Sequence, residues 1–374
     1  MRVGSPTRVG TWVTAGPRRL EDIGKIAVLR GGGLGDLMFA LPAIHALHRA
    51  YPEAEIVLLG TDGHQRLLAD RPSPVSRVLR LPAATGVHEP QPGAAQDPPA
   101  PREFFARAVA EEFDLALQIH GGGRWSNPFL LRLKARFTAG TRTPDADPLD
   151  FCLPYRYFQH EALRWLEVAG LIGADTAEIN ARLEVTASDL QEADSALDGL
   201  PRPLVTLHPG ATDRRRHWPA EKFADVAAHA AERGYGVAIV GTEDELELAE
   251  RIAGPAPGRG VRTVAGKLSL SGLVGVLARS AVVVANDSGP RHMAEATGTP
   301  TVGVFWCGNM INAGPFWRAA HRAHVGWTVR CPECGADLTT QGQECAHQSS
   351  WVAGVAVRAV LDDIDELLAT SRRP

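Results

Sequence analysis

No apolar run in the 374-residue sequence is long enough to span a bilayer as a helix, and the first two dozen residues lack the apolar core of a secretory signal. The chain is therefore expected in the cytoplasm. An excess of one charge is also missing. The formal net charge is -4 and the isoelectric point about 6.4, which gives no electrostatic basis for bulk nucleic-acid binding and makes any basic site local. Cysteine is scarce and odd in number, five residues with four in the last quarter, a pattern unlike a secreted disulfide framework. Familiar nucleotide and nucleophile signatures are absent as well. Gly31-Gly32-Gly33-Leu34-Gly35-Asp36 is followed by no Lys-Ser/Thr pair, which argues against an ATPase or kinase phosphate loop. Met38 stands where a dinucleotide fingerprint needs its third glycine, which disfavours a nicotinamide dehydrogenase. Asn286 stands where a nucleophile elbow around Ser288 needs glycine, which argues against a hydrolase.

What is present is one layout used in both halves of a chain long enough for two domains. Residues 26–29 are an apolar, β-prone run followed by the glycine loop. Leu37, Phe39, Ala40, Leu41, Ile44 and Leu47 then fall mainly on one helical face before strand-like residues 55–59. Near the other end, residues 281–285 run into Asn286-Asp287-Ser288-Gly289-Pro290-Arg291-His292 and a short helical stretch that stops at Gly298. A buried strand feeding a helix N-terminus brings unpaired N–H groups and the positive dipole end together, and such a point attracts phosphate. Residues 114–119 lead in the same way to His120-Gly121-Gly122-Gly123-Arg124-Trp125, and residues 204–207 to a polar loop holding Arg214, Arg215 and Arg216.

This alternation predicts an α/β fold of doubly wound parallel sheets with ligands at the strand carboxyl ends. The expected divisions are a flexible leader over 1–24, a first domain over 25–190, a second over 200–350, and a C-terminal helical segment over 351–374. The polar, proline-flanked stretch 187–203 reads as the linker. Residues 82–101, rich in Pro, Ala, Gly and Gln, read as a surface excursion.

Several residues are candidates for chemistry. Asp36 begins a helix and is either its N-cap or a carboxylate aimed at a ligand. The arginine run is a solvated turn, or a set of guanidinium groups able to neutralise a diphosphate. Asp287, Ser288 and His292 each have a capping or packing reading, but their concentration at one strand end favours a joint role. Cys331-Pro332-Glu333-Cys334, followed by Cys345 and His347, has the look of a zinc knuckle, with free thiols or a disulfide as the alternatives. Cys152 and Cys307 read as small buried apolar residues.

With these residues in view the chain resembles glycosyltransferase family 9, the heptosyltransferases that use ADP-heptose. The resemblance lies over residues 26–43, 208–223 and 267–305. It implies a GT-B fold, two Rossmann-like domains facing a central cleft, with the C-terminal helix returning to the first domain. It also implies inverting transfer without a catalytic metal or other cofactor, from a nucleotide-sugar donor to a hydroxyl of lipopolysaccharide core or a small glycoside. Peripheral membrane contact through the acceptor goes with that reading. By position, Asp36 matches the family's proposed base. Thr212 matches a residue near the diphosphate, and Arg216 a basic residue that is commonly lysine. Glu243 matches a nucleoside position and Leu268 one beside the base. Asp287, Ser288, Gly289 and His292 match the Asp-Thr/Ser-Gly-x-x-His signature, with Pro290 and Arg291 unusual between them. Gly33 and Arg124 are placed on the acceptor side, where Arg132, Lys134 and Arg136 are further cations. The alternatives are a GT-B transferase or epimerase using another nucleotide sugar, or a nucleotide-sugar-binding protein without turnover.

Overall fold

The computed structural model describes residues 19–89, 98–254, 260–339 and 345–370. The first half runs β1 (Lys25–Leu29), α1 (Leu34–Ala50), β2 (Glu55–Gly60), α2 (Asp62–Leu68), β3 (Arg77–Arg80), α3 (Pro101–Ala110), β4 (Leu115–Gln118), α4 (Ser126–Leu131), β5 (Phe137–Arg142), β6 (Phe151–Pro154) and α5 (Glu161–Gly170). The second runs α6 (Ala187–Ala196), β7 (Leu204–His208), α7 (Ala220–Glu232), β8 (Gly236–Ile239), α8 (Leu246–Ala253), β9 (Val261–Thr263), α9 (Leu270–Ala278), β10 (Val282–Asn286), α10 (Gly289–Ala296), β11 (Thr301–Trp306), α11 (Cys307–Ala313), β12 (His321–Gly326) and α12 (Val357–Thr370). Single 3-10 turns lie at Arg214–Arg216 and Glu243–Glu245.

Each half holds a six-stranded parallel sheet, ordered β3-β2-β1-β4-β5-β6 in the first and β12-β11-β10-β7-β8-β9 in the second. Counted within its own half, each order is 3-2-1-4-5-6. The winding therefore reverses between β1 and β4 and between β7 and β10, and each reversal opens a crevice at the strand carboxyl ends. The central strands are buried on both faces, which is why β1 and β10 read as unbroken apolar runs. Helices α1 and α10 pack directly, and one core contains Leu37, Leu41 and Ile44 together with Met293 and Ala294. The two crevices are thereby held facing one another.

Some expectations need correcting. Residues 187–196, read as linker from their polarity, form α6, which packs on α9. Its Asp189 is buried in a two-pronged ion pair with Arg71 of the first half, at 2.6 and 2.9 Å. The C-terminal helix, expected on the first domain, packs on the second. Val360, Ile364, Leu367 and Leu368 of α12 join the core of Phe223, Val226 and Val304. The preceding segment is already hooked there, because Trp218 Nε1 donates to Val355 O at 3.1 Å and Lys222 Nζ to Ala353 O at 2.6 Å. Residues 1–18 of the expected leader and 90–97 of the expected excursion lie outside the described residues, while Leu20 and Ile23 pack against the first core.

Candidate active site

Loops at the strand carboxyl ends of both sheets, among them those after β1, β4 and β7, build one cleft of about 1440 Å³. Gly32, Gly33 and Asp36 follow β1, and His120 follows β4. Thr212, Arg214 and Arg216 follow β7, and Glu245 lines the same space from the loop after β8. The starts of α1 and α10 meet beside it. A Cβ on Gly35 would lie 3.3 Å from Gly289 Cα and 3.2 Å from His292 Cδ2, so the bare backbone at 35 lets the N-termini of α1 and α10 approach. Phe39, one turn on, presents its ring edge-on to His292 at 4.5 Å.

Asp36 is the third residue of α1 rather than its cap. Its Oδ2 accepts from Gly33 N–H at 2.7 Å and its Oδ1 from Arg30 Nη2, also at 2.7 Å. Burial opposes its charge, but the Arg30 guanidinium and the Gly33 N–H outweigh that and hold its carboxyl below the usual carboxylate range. The group is ionised at neutral pH and 43% exposed to the cleft. Arg30 is buried, donating also to Glu161 Oε2 at 2.7 Å and to Ile119 O at 2.8 Å. Around Gly33, His64 donates from Nε2 to the Gly33 carbonyl at 3.1 Å and accepts from Thr61 N–H at Nδ1, a neutral tautomer. Burial pushes His64 and His120 down to about 4.

On the other wall, the three arginines divide. Arg215 turns back onto Asp213 at 2.7 Å and over the Trp351 ring at 4.3 Å. Arg216 donates to Asp287 Oδ2 at 3.0 Å. Arg214 is exposed into the cleft and has no ion pair among the described residues. Asp287 is buried, and also accepts from His292 Nε2 at 3.0 Å and Asn309 Nδ2 at 2.8 Å. Burial alone would raise its pKa, but His292 and Arg216 bring it down to about 2. Asn286 ties the loop to the strand end, accepting from Trp218 N–H at 3.0 Å and donating to Pro209 O at 2.6 Å. Ser288 Oγ meets His208 Nδ1 at 2.9 Å, and Glu245 stands 3.6 Å from His208 Nε2. Burial opposes the Glu245 charge, yet the hydrogen bond with His208 and those from Thr242 hold it at about 2. A Cβ on Gly210 would lie 1.6 Å from Glu245 Oε1, so only glycine admits this approach without displacing that side chain.

Of the sequence candidates, Gly33, Asp36, Thr212 and Arg216 line this cleft. Asp287, Ser288, Gly289 and His292 stand behind that lining, Asp287 against Arg216, Ser288 against His208, and Gly289 and His292 against Gly35, and His292 borders a separate small recess with Phe39 and His160. Arg124 borders a neighbouring recess with Trp125 and Tyr155, joined to the cleft through His120 and Gly86. Glu243 is exposed and absent from the cleft lining, and Leu268 is half-buried against the small core around Val264. Arg30, Glu161, His64, His208 and Glu245 were not anticipated. The signal for Arg30 and His208 is a polar residue closing an apolar strand run. Farther out, the Cys331, Cys334, Cys345 and His347 donor atoms all lie within 4.8 Å of one another, with no disulfide among them. Cys152 and Cys307 are buried, as expected.

Two doubly wound domains facing a cleft, with a carboxylate on one wall and arginines on the other, fit the GT-B class of glycosyltransferases. The family model of glycosyltransferase family 9 (heptosyltransferase) matches residues 102–334, and the chain belongs to that family. It is 27% identical over 319 residues to lipopolysaccharide heptosyltransferase 1 of Pseudomonas aeruginosa, covering 83% of this chain and 86% of that one. To the lipopolysaccharide core heptosyltransferase OpsX of Haemophilus influenzae it is 23% identical over 298 residues, covering 78% and 81%. The solved ADP-heptose lps heptosyltransferase II of E. coli shares the fold at a TM-score of 0.71 and 17% identity, over 94% of this chain and all of that one.

Proposed function

We propose that the chain transfers a heptosyl group from an ADP-heptose-type donor to a hydroxyl of an anionic glycan, the inner core of lipopolysaccharide, with inversion at the anomeric carbon. The observation that carries this is the meeting of Asp36, from one domain, with Thr212, Arg214 and Arg216, from the other, around one cleft. Asp36 takes the proton of the acceptor hydroxyl, whose oxygen attacks the anomeric carbon from the face opposite the leaving group. The bond from that carbon to the diphosphate oxygen breaks, and ADP leaves with the electron pair. The negative charge that develops is met by Arg214, Arg216 and the N-terminus of α10. Both Asp287 oxygens are engaged by His292, Arg216 and Asn309, which supports charge neutralisation by protein cations in place of a catalytic metal.

Names of relatives supply the acceptor class, since both curated relatives above are lipopolysaccharide heptosyltransferases. Arg66, Arg80 and Arg251 also line the cleft; Arg66 and Arg80 share the one carboxylate of Asp62, at 2.9 and 4.0 Å, which leaves a local positive excess suited to an anionic acceptor. The cysteine cluster is read as a closed structural zinc site with no part in bond making. Three thiols kept for a metal fit the reducing cytoplasm, where we place the enzyme.

The test is incubation with ADP-heptose and a phosphorylated core oligosaccharide, followed by mass spectrometry. A product heavier by one heptosyl unit, with ADP released, is the expected result. Thermal shifts with ADP, UDP, GDP and dTDP sugars check the nucleotide, and a preference for a non-adenine donor would overturn the ADP assignment.

A further inference from the structure

The cysteine cluster lies beside the segment that carries the arginines, and its geometry suits an ion. A tetrahedral zinc with S ligands at about 2.3 Å and N at about 2.0–2.1 Å sets S–S edges near 3.8 Å and S–N edges near 3.6 Å. Cys334 Sγ stands 3.6 Å from Cys345 Sγ, and His347 Nδ1 stands 3.7 Å from Cys331 Sγ and 3.5 Å from Cys345 Sγ. Gly335, at φ +71°, closes the turn so that its N–H reaches Cys331 O at 2.9 Å. The other face of His347 is oriented as well, with Nε2 3.6 Å from Glu333 Oε2, the carboxylate-to-histidine arrangement found behind metal-bound imidazoles. Four protein donors, all within 4.8 Å of one another, are the number that a closed structural site takes.

The chain leaving this cluster runs straight onto the donor turn. Ser350 Oγ donates to His217 O at 2.6 Å, Trp351 N–H donates to Arg215 O at 2.7 Å, and the Arg215 guanidinium lies over the Trp351 ring. Arg214 and Arg216 flank Arg215 within that turn. We propose that Cys331, Cys334, Cys345 and His347 bind one zinc ion, and that this ion is the outer anchor of the turn 213–218, setting how tightly the donor diphosphate is held. The anchor role rests on the donor reading above, whereas the ion does not. Without the metal, three thiols and an imidazole lose what gathers them, and residues 345–351 lose the fixed end from which they brace the turn.

The full chain is tested by metal analysis with inductively coupled plasma mass spectrometry and by calorimetry with ADP. One zinc per chain is expected. Cys334→Ser and Cys345→Ser should lose it and bind ADP at least about tenfold more weakly, with far-UV circular dichroism unchanged. Should these variants misfold, Glu333→Gln keeps all four ligands. Its zinc affinity should fall about 10–100-fold, and its ADP affinity should track zinc occupancy as the metal is titrated back. No stoichiometric metal, or iron in place of zinc, overturns the ion. A folded, zinc-free variant with undiminished ADP affinity overturns the anchor. If the zinc-loaded wild type binds no ADP, the donor reading fails and takes the anchor with it, while metal analysis still decides the ion.

Discussion

Arg30 donates from one nitrogen, Nη2, to both Asp36 Oδ1 and Glu161 Oε2, each at 2.7 Å. Buried between two carboxylates, and with its guanidinium 5.2 Å from the Trp165 ring centroid, it fixes the direction of Asp36 and restrains its basicity. Arg30→Gln removes the charge that keeps the Asp36 pKa low. The acidic limb of the kcat/KM profile should therefore move to higher pH, and kcat should fall about tenfold or more as the carboxylate loses its orientation. A profile with an unmoved limb would remove Arg30 from this role.

Arg214 and Arg216 should separate on mutation. Arg214 has no ion pair among the described residues, so Arg214→Ala should weaken donor binding by about tenfold, the scale of one charge-assisted hydrogen bond, without changing Tm. Arg216 holds buried Asp287, so Arg216→Ala should lower both donor affinity and Tm. Titration calorimetry with ADP and a thermal melt distinguish the two.

Acid should destabilise the fold in two stages. Burial brings His64, His120 and His160, the N-cap of α5, to about 4, against about 6.5 in an unfolded chain. Between those values the unfolded state binds more protons, so stability falls as pH falls, by at most about 1.4 kcal/mol per pH unit per histidine. Asp287 and Glu245, both at about 2, stabilise the fold above their unfolded values near 4, and that contribution is lost as pH drops toward 2. Urea unfolding at stepped pH measures both stages, and His64→Gln should flatten the first.

Gly275 marks the α6–α9 contact. A Cβ there would lie 1.9 Å from the Asp189 backbone oxygen, an atom that cannot rotate away. Gly275→Ala should cost about 1–3 kcal/mol, seen as a lower urea midpoint at unchanged m.

Much of the architecture is legible in the sequence because the central strands are buried on both faces and end in glycine or polar loops. The runs at 26–29 and 281–285 therefore locate the sheets and the strand ends from which Asp36 reaches the cleft and Asp287 reaches Arg216. What escapes sequence reading depends on distant partners. Helix α6 looks like a linker because its buried carboxylate, Asp189, is neutralised by Arg71, 118 residues away. The apolar stripe of α12 is visible, but which domain it covers is decided by the hook at residues 350–355. Glu243 and Glu245 share one acidic turn, and only the approach of His208 distinguishes the one in the cleft. Strand β12 is half-buried at a sheet edge, and its His and Arg content hides it.

The central claim is that Asp36 removes the acceptor proton in a cleft whose opposite wall binds the donor. Its most direct test is Asp36→Asn, assayed for transfer and for ADP binding on the same preparation. The account predicts ADP affinity within about twofold of wild type and transfer reduced at least about a hundredfold. Transfer at the wild-type rate would contradict it.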